Sequence, residues 1–137
     1  MGNTRITTDL AEIDLEIVHR WLSEDAYWAI GRSRETVEQA ARGSINFGAL
    51  DQDGALIGYA RVVTDRATFA WLCDVYVAPS ARGGGAGVAL AEGVIGELRP
   101  LGLRRVLLVT SDAHGLYRKV GFEEFPNPEK LMQLSGN

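Results

Sequence analysis

The stretch that decides the fold is DVYVAPSARGGGAGV, residues 74–88. It begins as an apolar strand, stops at Pro79, and passes through a glycine cluster into a helix predicted over residues 86–98. The first N–H groups of a helix have no partner within it, and the helix dipole is positive there. Glycine permits positive φ, so such N–H groups can close around phosphate oxygens. The stretch predicts an anion site, although a connection that needs glycine only to turn would have the same composition.

The sequence of this stretch does not match the motifs of two common phosphate-binding loops. A dinucleotide loop requires a third glycine, three positions after the second glycine of a Gly-x-Gly pair, and Val88 or Leu90 stands there. A Walker loop requires lysine followed by serine or threonine, and residues 82–88 contain no lysine. Dinucleotide binding and nucleotide hydrolysis are therefore disfavoured.

The remaining elements place this loop in an α/β fold with about four helices. Asp14 and Ser33 are predicted to cap two helices, and Asp51-Gln52-Asp53-Gly54 is typical of a hairpin turn. Residues 105–110 contain the continuous apolar run Val106–Val109, which predicts a central strand over 105–110 that is buried on both faces and parallel to its predecessor. The full prediction is a mixed, mostly antiparallel sheet in the order β-α-α-β-β-β-α-β-α-β-β, with strands at 5–8, 45–50, 55–64, 69–77, 105–110, 122–125 and 130–134, and helices from 14, 33–42, 86–98 and 112–120.

The glycine loop contains Arg-x-x-Gly-x-Gly at Arg82, Gly85 and Gly87, and it resembles the acetyl-CoA-binding motif of the GNAT (Gcn5-related N-acetyltransferase) family. Residues 113–122, AHGLYRKVGF, are similar to the second motif of that family. The two motifs stand in the family's order, and the resemblance covers nearly all of the 137 residues. It implies a GNAT-like fold and the use of acetyl-CoA (coenzyme A) as the acetyl donor.

In that family the amides of the loop hold the pyrophosphate of coenzyme A, and the preceding strand offers backbone groups to the pantetheine arm. Gly84 stands where relatives often have a basic residue, and Thr110 where many have asparagine. Phosphate affinity is therefore expected to depend on Arg82 and the amides. The expected cofactor-binding residues are Val75, Tyr76, Val77, Arg82, Gly83, Gly84, Gly85, Ala86, Gly87 and Val88.

Acetyl transfer to an amine requires a base for the ammonium and an acid for the leaving thiolate. Tyr117 matches the family position whose hydroxyl contacts the sulfur of coenzyme A, although a tyrosine packing its ring on the core would look the same. Asp74 is the best acidic candidate for the base because burial raises the pKa of a carboxyl group; a solvated aspartate or a water relay is the alternative. His19 and His114 are expected to be surface or packing residues.

The acceptor is expected to be a small-molecule or peptide primary amine that takes the acetyl group directly. Tyr27 and Trp28 lie between the first two helices, a connection that often borders the acceptor site in the family, although packing of these rings onto the sheet is the more expected arrangement. Asp65 is a further candidate for holding a cationic substrate. A catalytically idle, regulatory module that binds coenzyme A is the alternative function.

The chain length and the apolar fraction predict one domain over residues 1–137. A net charge of −4 argues against nucleic-acid binding, and residues 79–120 carry six basic and three acidic side chains, +3, as a small anionic ligand would favour. Neither a membrane span nor a secretory signal is apparent, so cytoplasmic residence is expected. The lone Cys73 lacks metal-ligand companions and is expected to be a core thiol. A homodimer is common among relatives and has no marker in the sequence.

Overall fold

The computed structural model describes residues 4–136, which form one five-stranded sheet with helices on both faces. The strands follow one another in the order β1-β2-β3-β4-β5; the first four are antiparallel and β5 is parallel to β4. This confirms the predicted mixed, mostly antiparallel α/β fold. Within these residues, no helix has the length and apolarity to cross a membrane. The elements are β1 (Arg5–Thr7), α1 (Leu15–Glu24), α2 (Arg34–Arg42), β2 (Ile45–Leu50), β3 (Leu56–Thr64), β4 (Phe69–Val77), α3 (Ala86–Leu98), β5 (Arg105–Leu107) and α4 (His114–Lys119).

Local side-chain chemistry starts the first two helices as the sequence predicts. The carboxylate of Asp14 accepts the N–H of Glu16 at 3.0 Å, and the hydroxyl of Ser33 accepts the N–H of Thr36 at 3.1 Å. A cap of this kind contributes about 1 kcal/mol. The Ser33 cap fixes where the connection between α1 and α2 ends.

The core lies on both faces of the sheet. On one face, α3 buries Leu90, Ala91 and Val94 against apolar side chains of β2, β3 and β4. On the other face, α1 and α2 bury Val18 and Val37 with residues of a second cluster. The sheet therefore separates the side covered by α3 from the side covered by α1 and α2. The two sides meet only where neighbouring strands diverge.

A bulge in β4 changes which residues face each side. Cys73 is opposite Arg61, and Tyr76 is opposite Tyr59. Between these two pairs, Asp74 and Val75 of β4 are therefore opposite the single residue Ala60 of β3. Asp74, in this bulge, has a positive φ of 53°. As a result the side chain of Asp74 lies on the face of the sheet covered by α1 and α2. After Asp74, the alternation of β4 side chains between the two faces of the sheet is shifted by one residue.

The prediction of a long central strand over residues 105–110 was wrong. Only Arg105–Leu107 is a strand, and it lies at the edge of the sheet, with Val109 76% exposed. The hydroxyl of Thr110 accepts the N–H groups of Asp112 and Ala113, so the chain turns there and α4 begins only at His114. An apolar run of this length does not distinguish a central strand from an edge strand.

The two strands predicted after α4 are also absent. Residues 122–125 have no regular structure, Lys130 ends a 3₁₀ turn at Pro128–Lys130, and residues 131–134 follow that turn without pairing. Pro126 and Pro128 interrupt this segment, and proline has no N–H with which to join a sheet. The edge of β5 away from β4 therefore has no partner strand within residues 4–136.

Candidate active site

The head of α3 presents a row of unpaired backbone donors. Within residues 4–136, the six N–H groups from Gly83 to Val88 make no hydrogen bond to the protein. The next N–H group, that of Ala89, donates to the carbonyl oxygen of Gly85 at 2.9 Å. Residues 83–85 are exposed, so these donors are accessible to a ligand at the positive end of the helix dipole.

Two glycines give this loop its shape, and a third brings the neighbouring helix close. Gly83 has a φ of 86° and Gly85 a φ of 89°, conformations that favour glycine. A Cβ atom added to Gly87 would lie 3.0 Å from Cδ1 of Leu116 in α4. The absence of that atom lets α4 pack at the head of α3, beside the loop.

Arg82 lies across the end of β4. Its Nε donates to the carbonyl oxygen of Val77 at 2.9 Å, its Nη2 is 3.4 Å from a carboxylate oxygen of Asp25, and its guanidinium lies 5.3 Å from the ring centroid of Tyr76. The side chain is about half exposed. It keeps a positive charge beside the loop, as its predicted role in phosphate binding requires.

A gap opens between β4 and the segment that follows β5. The two strands pair only at residues 69–71 and 105–107, and β4 then continues to Val77 without its neighbour. Val75 and Val77 pack toward α3, whereas Tyr76 packs toward α1 and donates its hydroxyl to Asp25 at 2.6 Å. The unpaired edge of residues 72–77 leads from the glycine loop to the bulge at Asp74, so an extended ligand arm could pair with it.

Tyr117 lies on α4 beside the segment that diverges from β4. Its ring is buried and contacts Phe122 edge to face at 5.7 Å. Within the described chain its hydroxyl makes no hydrogen bond, yet it is not sealed from solvent. Burial, with a smaller contribution from the charge of Asp112, raises the pKa of Tyr117 to about 12. The phenol therefore stays protonated at neutral pH and can donate its proton.

A cavity of about 750 Å³ lies on the far side of β5. Its lining comes from the C-terminal end of α3, β5 and the residues that follow it, α4, and the C-terminal segment, and of the predicted site residues only Tyr117 contributes to it. Neither the glycine loop nor β4 reaches it. The cavity is therefore distinct from the gap, and its size alone does not make it the place where the predicted residues meet.

Asp74 is a buried, ionised carboxylate with three donors. Trp28 Nε1 donates to Oδ1 at 2.8 Å, and Arg32 Nη1 and Arg61 Nε donate to Oδ2 at 2.7 and 2.9 Å. Burial by itself would raise the pKa of Asp74, but the hydrogen bond from Arg32, the charge of Arg61 and the hydrogen bond from Trp28 outweigh it and lower the pKa. The expectation of a raised pKa was wrong. Its role as the base stays a prediction, and these contacts favour a positioning role.

The connection between α1 and α2, residues 25–33, crosses the gap on the face opposite α3. Trp28 and Arg32 attach it to Asp74, and the hydroxyl of Tyr27 is 2.7 Å from Oγ of Ser111 beyond β5. Both aromatic rings are exposed and meet edge to face at 5.0 Å. The structure thus brings Tyr27 and Trp28 to the gap.

Asp65 lies elsewhere. It is in the turn that joins β3 to β4, before Phe69, whereas the glycine loop follows the other end of β4. Its carboxylate accepts the N–H groups of Ala67 and Thr68 and the hydroxyl of Thr68, which lowers its pKa. Asp65 therefore stabilises a turn, and the structure does not bring it to the other predicted site residues.

Four residues of this region were not predicted as site residues. Arg32 and Arg61 hold Asp74, Ser111 contacts Tyr27, and Thr110 begins the turn into α4. Arginines far apart in sequence leave no spacing signal, because only the fold brings them to one carboxylate. His19 contacts the carbonyl oxygen of Arg32 at 3.1 Å, consistent with its expected packing role.

Comparison with known proteins identifies relatives over most of the chain. A model of the Acetyltransferase (GNAT) family matches residues 15–122. A candidate acetyltransferase of Gibberella zeae is 29% identical, over 90% of this chain and 81% of its own length. The crystal structure of a candidate GNAT acetyltransferase from Xanthomonas campestris pv. campestris is 40% identical with a TM-score of 0.92, covering 99% of this chain and 95% of that one. A Mycobacterium tuberculosis protein in complex with CoA shares the fold, with a TM-score of 0.74 and 19% identity over 88% of this chain and 72% of that one.

Proposed function

Because the chain belongs to the GNAT acetyltransferase family, whose members use acetyl-CoA, we propose that it transfers an acetyl group directly from acetyl-CoA to the primary amine of a small-molecule or peptide acceptor. The observation that carries the proposal is the row of six N–H groups at the head of α3 that have no partner within residues 4–136. A diphosphate fits such a row because its oxygens accept hydrogen bonds and its charge suits the helix dipole.

The two substrates approach from opposite faces of the sheet. Residues 83–88 and Arg82 hold the diphosphate beside α3 and α4, and the unpaired edge at Val75, Tyr76 and Val77 binds the extended arm. Tyr27 and Trp28 border the acceptor on the face of α1 and α2. The gap between β4 and residues 108–112 is the place where the faces meet, which supports transfer there.

When bound, acetyl-CoA supplies a thioester whose C–S bond breaks as the acceptor nitrogen bonds to the acetyl carbon. Tyr117 is the proposed acid: its phenol is protonated, lacks a partner within residues 4–136 and has access to solvent. Because Asp74 has a lowered pKa and two guanidinium partners, a water relay is the better-supported base. Asp74 instead orients Trp28 and Arg32 at the acceptor side.

A pair of aspartate substitutions tests the loop. Gly85 and Gly54 have φ values of 89° and 83°, and a Cβ at either would meet no atom within 4 Å. Both Gly85→Asp and Gly54→Asp should therefore cost about 1–2 kcal/mol of stability. Only Gly85→Asp should also weaken acetyl-CoA binding in calorimetry, by at least about tenfold, because it places a negative charge among the phosphate donors.

The result that would overturn the loop assignment is equal acetyl-CoA affinity in the two variants. Turnover is tested separately by release of free thiol from acetyl-CoA with a panel of amines. Tight binding without thiol release would favour the alternative, a regulatory module that binds coenzyme A. Cytoplasmic residence and the absence of nucleic-acid and membrane partners stay predictions from the sequence.

A second copy of this chain is the proposed protein partner. Met132 and Leu134 in the C-terminal segment are 95% and 98% exposed, and Val109 beside the unpaired edge of β5 is exposed as well. Exposed apolar patches favour association, and Val109 lines the same cavity as Leu131 of the C-terminal segment. Residues 130–134 have the pattern of a strand but do not pair with the free edge of β5 in their own chain, and β5 of a second copy offers the same edge. In a dimer with two-fold symmetry, each copy would pair its residues 130–134 with β5 of the other copy.

A further inference from the structure

The carboxylate of Asp74 is shared by two arginines, and this leaves a positive charge unmatched. Its side chain is 3% exposed, while those of Arg32 and Arg61 are 22% and 15% exposed. One negative and two positive groups give the cluster a formal charge of +1. Buried or half-buried charges are costly without partners, so a cluster of this kind favours a further anion.

The described neighbours do not supply that anion. Ser44 accepts a hydrogen bond from Arg61 through a neutral hydroxyl, and His19 contacts the backbone carbonyl of Arg32. Asp25, which begins the same connection, is engaged by the hydroxyl of Tyr76 and by Arg82. The excess charge therefore remains at the acceptor side of the gap.

Arg32 keeps the hydrogen-bonding capacity to bind an anion. Only Nη1 is used, in the contact with Asp74; within residues 4–136, Nε and Nη2 make no hydrogen bond. A guanidinium presents five N–H donors in a planar fork that matches the two oxygens of a carboxylate. Its orientation is fixed by the buried oxygen it already contacts, so less entropy is lost on binding.

The position of Arg32 relates this capacity to the reaction. Its guanidinium contacts the same carboxylate as Trp28, whose exposed ring borders the gap together with Tyr27. An acceptor lying against these rings would have its anionic end at Arg32 and its amine directed to the gap between β4 and residues 108–112.

We propose that the acceptor is an amine that also carries a carboxylate, and that Arg32 binds this carboxylate. The inference rests on the proposed acetyl transfer and narrows its substrate class to amino carboxylic acids and peptides with a nearby carboxylate. Polyamines are disfavoured because the cluster repels a second cationic group.

The test compares α-, β- and γ-amino carboxylic acids with their carboxamides, using thiol release from acetyl-CoA and, independently, thermal stabilisation of the protein saturated with coenzyme A. The acids should be used with at least about tenfold higher kcat/KM than their amides, a difference of ~1.4 kcal/mol. Arg32→Gln should abolish this preference while leaving the KM for acetyl-CoA unchanged. The control, Arg34→Gln, removes an exposed arginine paired with Glu38 and should keep the preference.

The proposal is overturned if amides serve as well as acids, if no acid in the panel stabilises the protein or releases thiol, or if Arg32→Gln keeps the preference. Arg32→Lys is the control for misfolding of Arg32→Gln, because lysine retains the positive charge. This variant should retain part of the preference for acids over amides, since lysine lacks only the bidentate geometry. Failure of the proposed function has a different signature, which is loss of stabilisation by acetyl-CoA itself.

Discussion

Substitution of Asp74 by asparagine distinguishes a positioning carboxylate from a catalytic base. The carboxylate accepts hydrogen bonds from Trp28, Arg32 and Arg61. Asparagine has a similar shape but only one side-chain acceptor oxygen, so it can keep only the hydrogen bond from Trp28. Removing one side of a buried ion pair costs about 3–5 kcal/mol. The two guanidinium groups here are partly exposed and can regain water, so we expect the lower end, about 3 kcal/mol.

The assay is urea unfolding of the wild type and of Asp74→Asn at a series of pH values. The folded-state pKa of Asp74 lies below its ordinary value of 3.8, so its contribution is complete above that pH and is lost as the pH falls through the lower folded value. The stability difference should stay constant from about pH 5 to 8 and shrink in stronger acid. Equal stability of the two proteins, with turnover lost only in the variant, would refute this reasoning and restore Asp74 as the base.

Three further outcomes follow from the site and the partner surface. Tyr117→Phe should lower kcat at least about tenfold with little change in acetyl-CoA affinity, because the ring packing is kept and only the proton donor is lost; unchanged kcat would remove Tyr117 from the mechanism. Because the pKa of Tyr117 is raised to about 12, ionisation of this phenol should not lower kcat between about pH 7 and 10, and an alkaline decline present equally in Tyr117→Phe would belong to another group. Leu134→Asp should convert a dimer to a monomer in light scattering, whereas a wild type that is already monomeric would contradict the proposed dimer.

Much of the fold follows from chemistry that acts over a few residues. Asp14 and Ser33 cap helices where the sequence predicts, and the Asp-Gly step turns the chain between β2 and β3. The glycine loop was readable for the same reason: unpaired donors and glycines with positive φ are properties of neighbouring residues.

The parts that could not be predicted depend on contacts between distant segments. The direction of the Asp74 side chain is set by a bulge defined against β3, and the fall in its pKa by Arg32 and Arg61, which are 42 and 13 residues away. Burial alone therefore gave the wrong sign for the pKa shift. Likewise, the apolar run at residues 105–110 shows that the segment favours burial, but not which segment covers it.

The central claim is that the N–H groups from Gly83 to Val88 bind the diphosphate of coenzyme A. Backbone amide resonances of ¹⁵N-labelled protein, followed during titration with coenzyme A, test it residue by residue. We expect the amide resonances of residues 83–88 to show the largest shifts, with a midpoint at the coenzyme A concentration that equals the calorimetric Kd. We expect ATP and NAD not to reproduce these shifts. Saturation with coenzyme A that leaves those six resonances in place would contradict it.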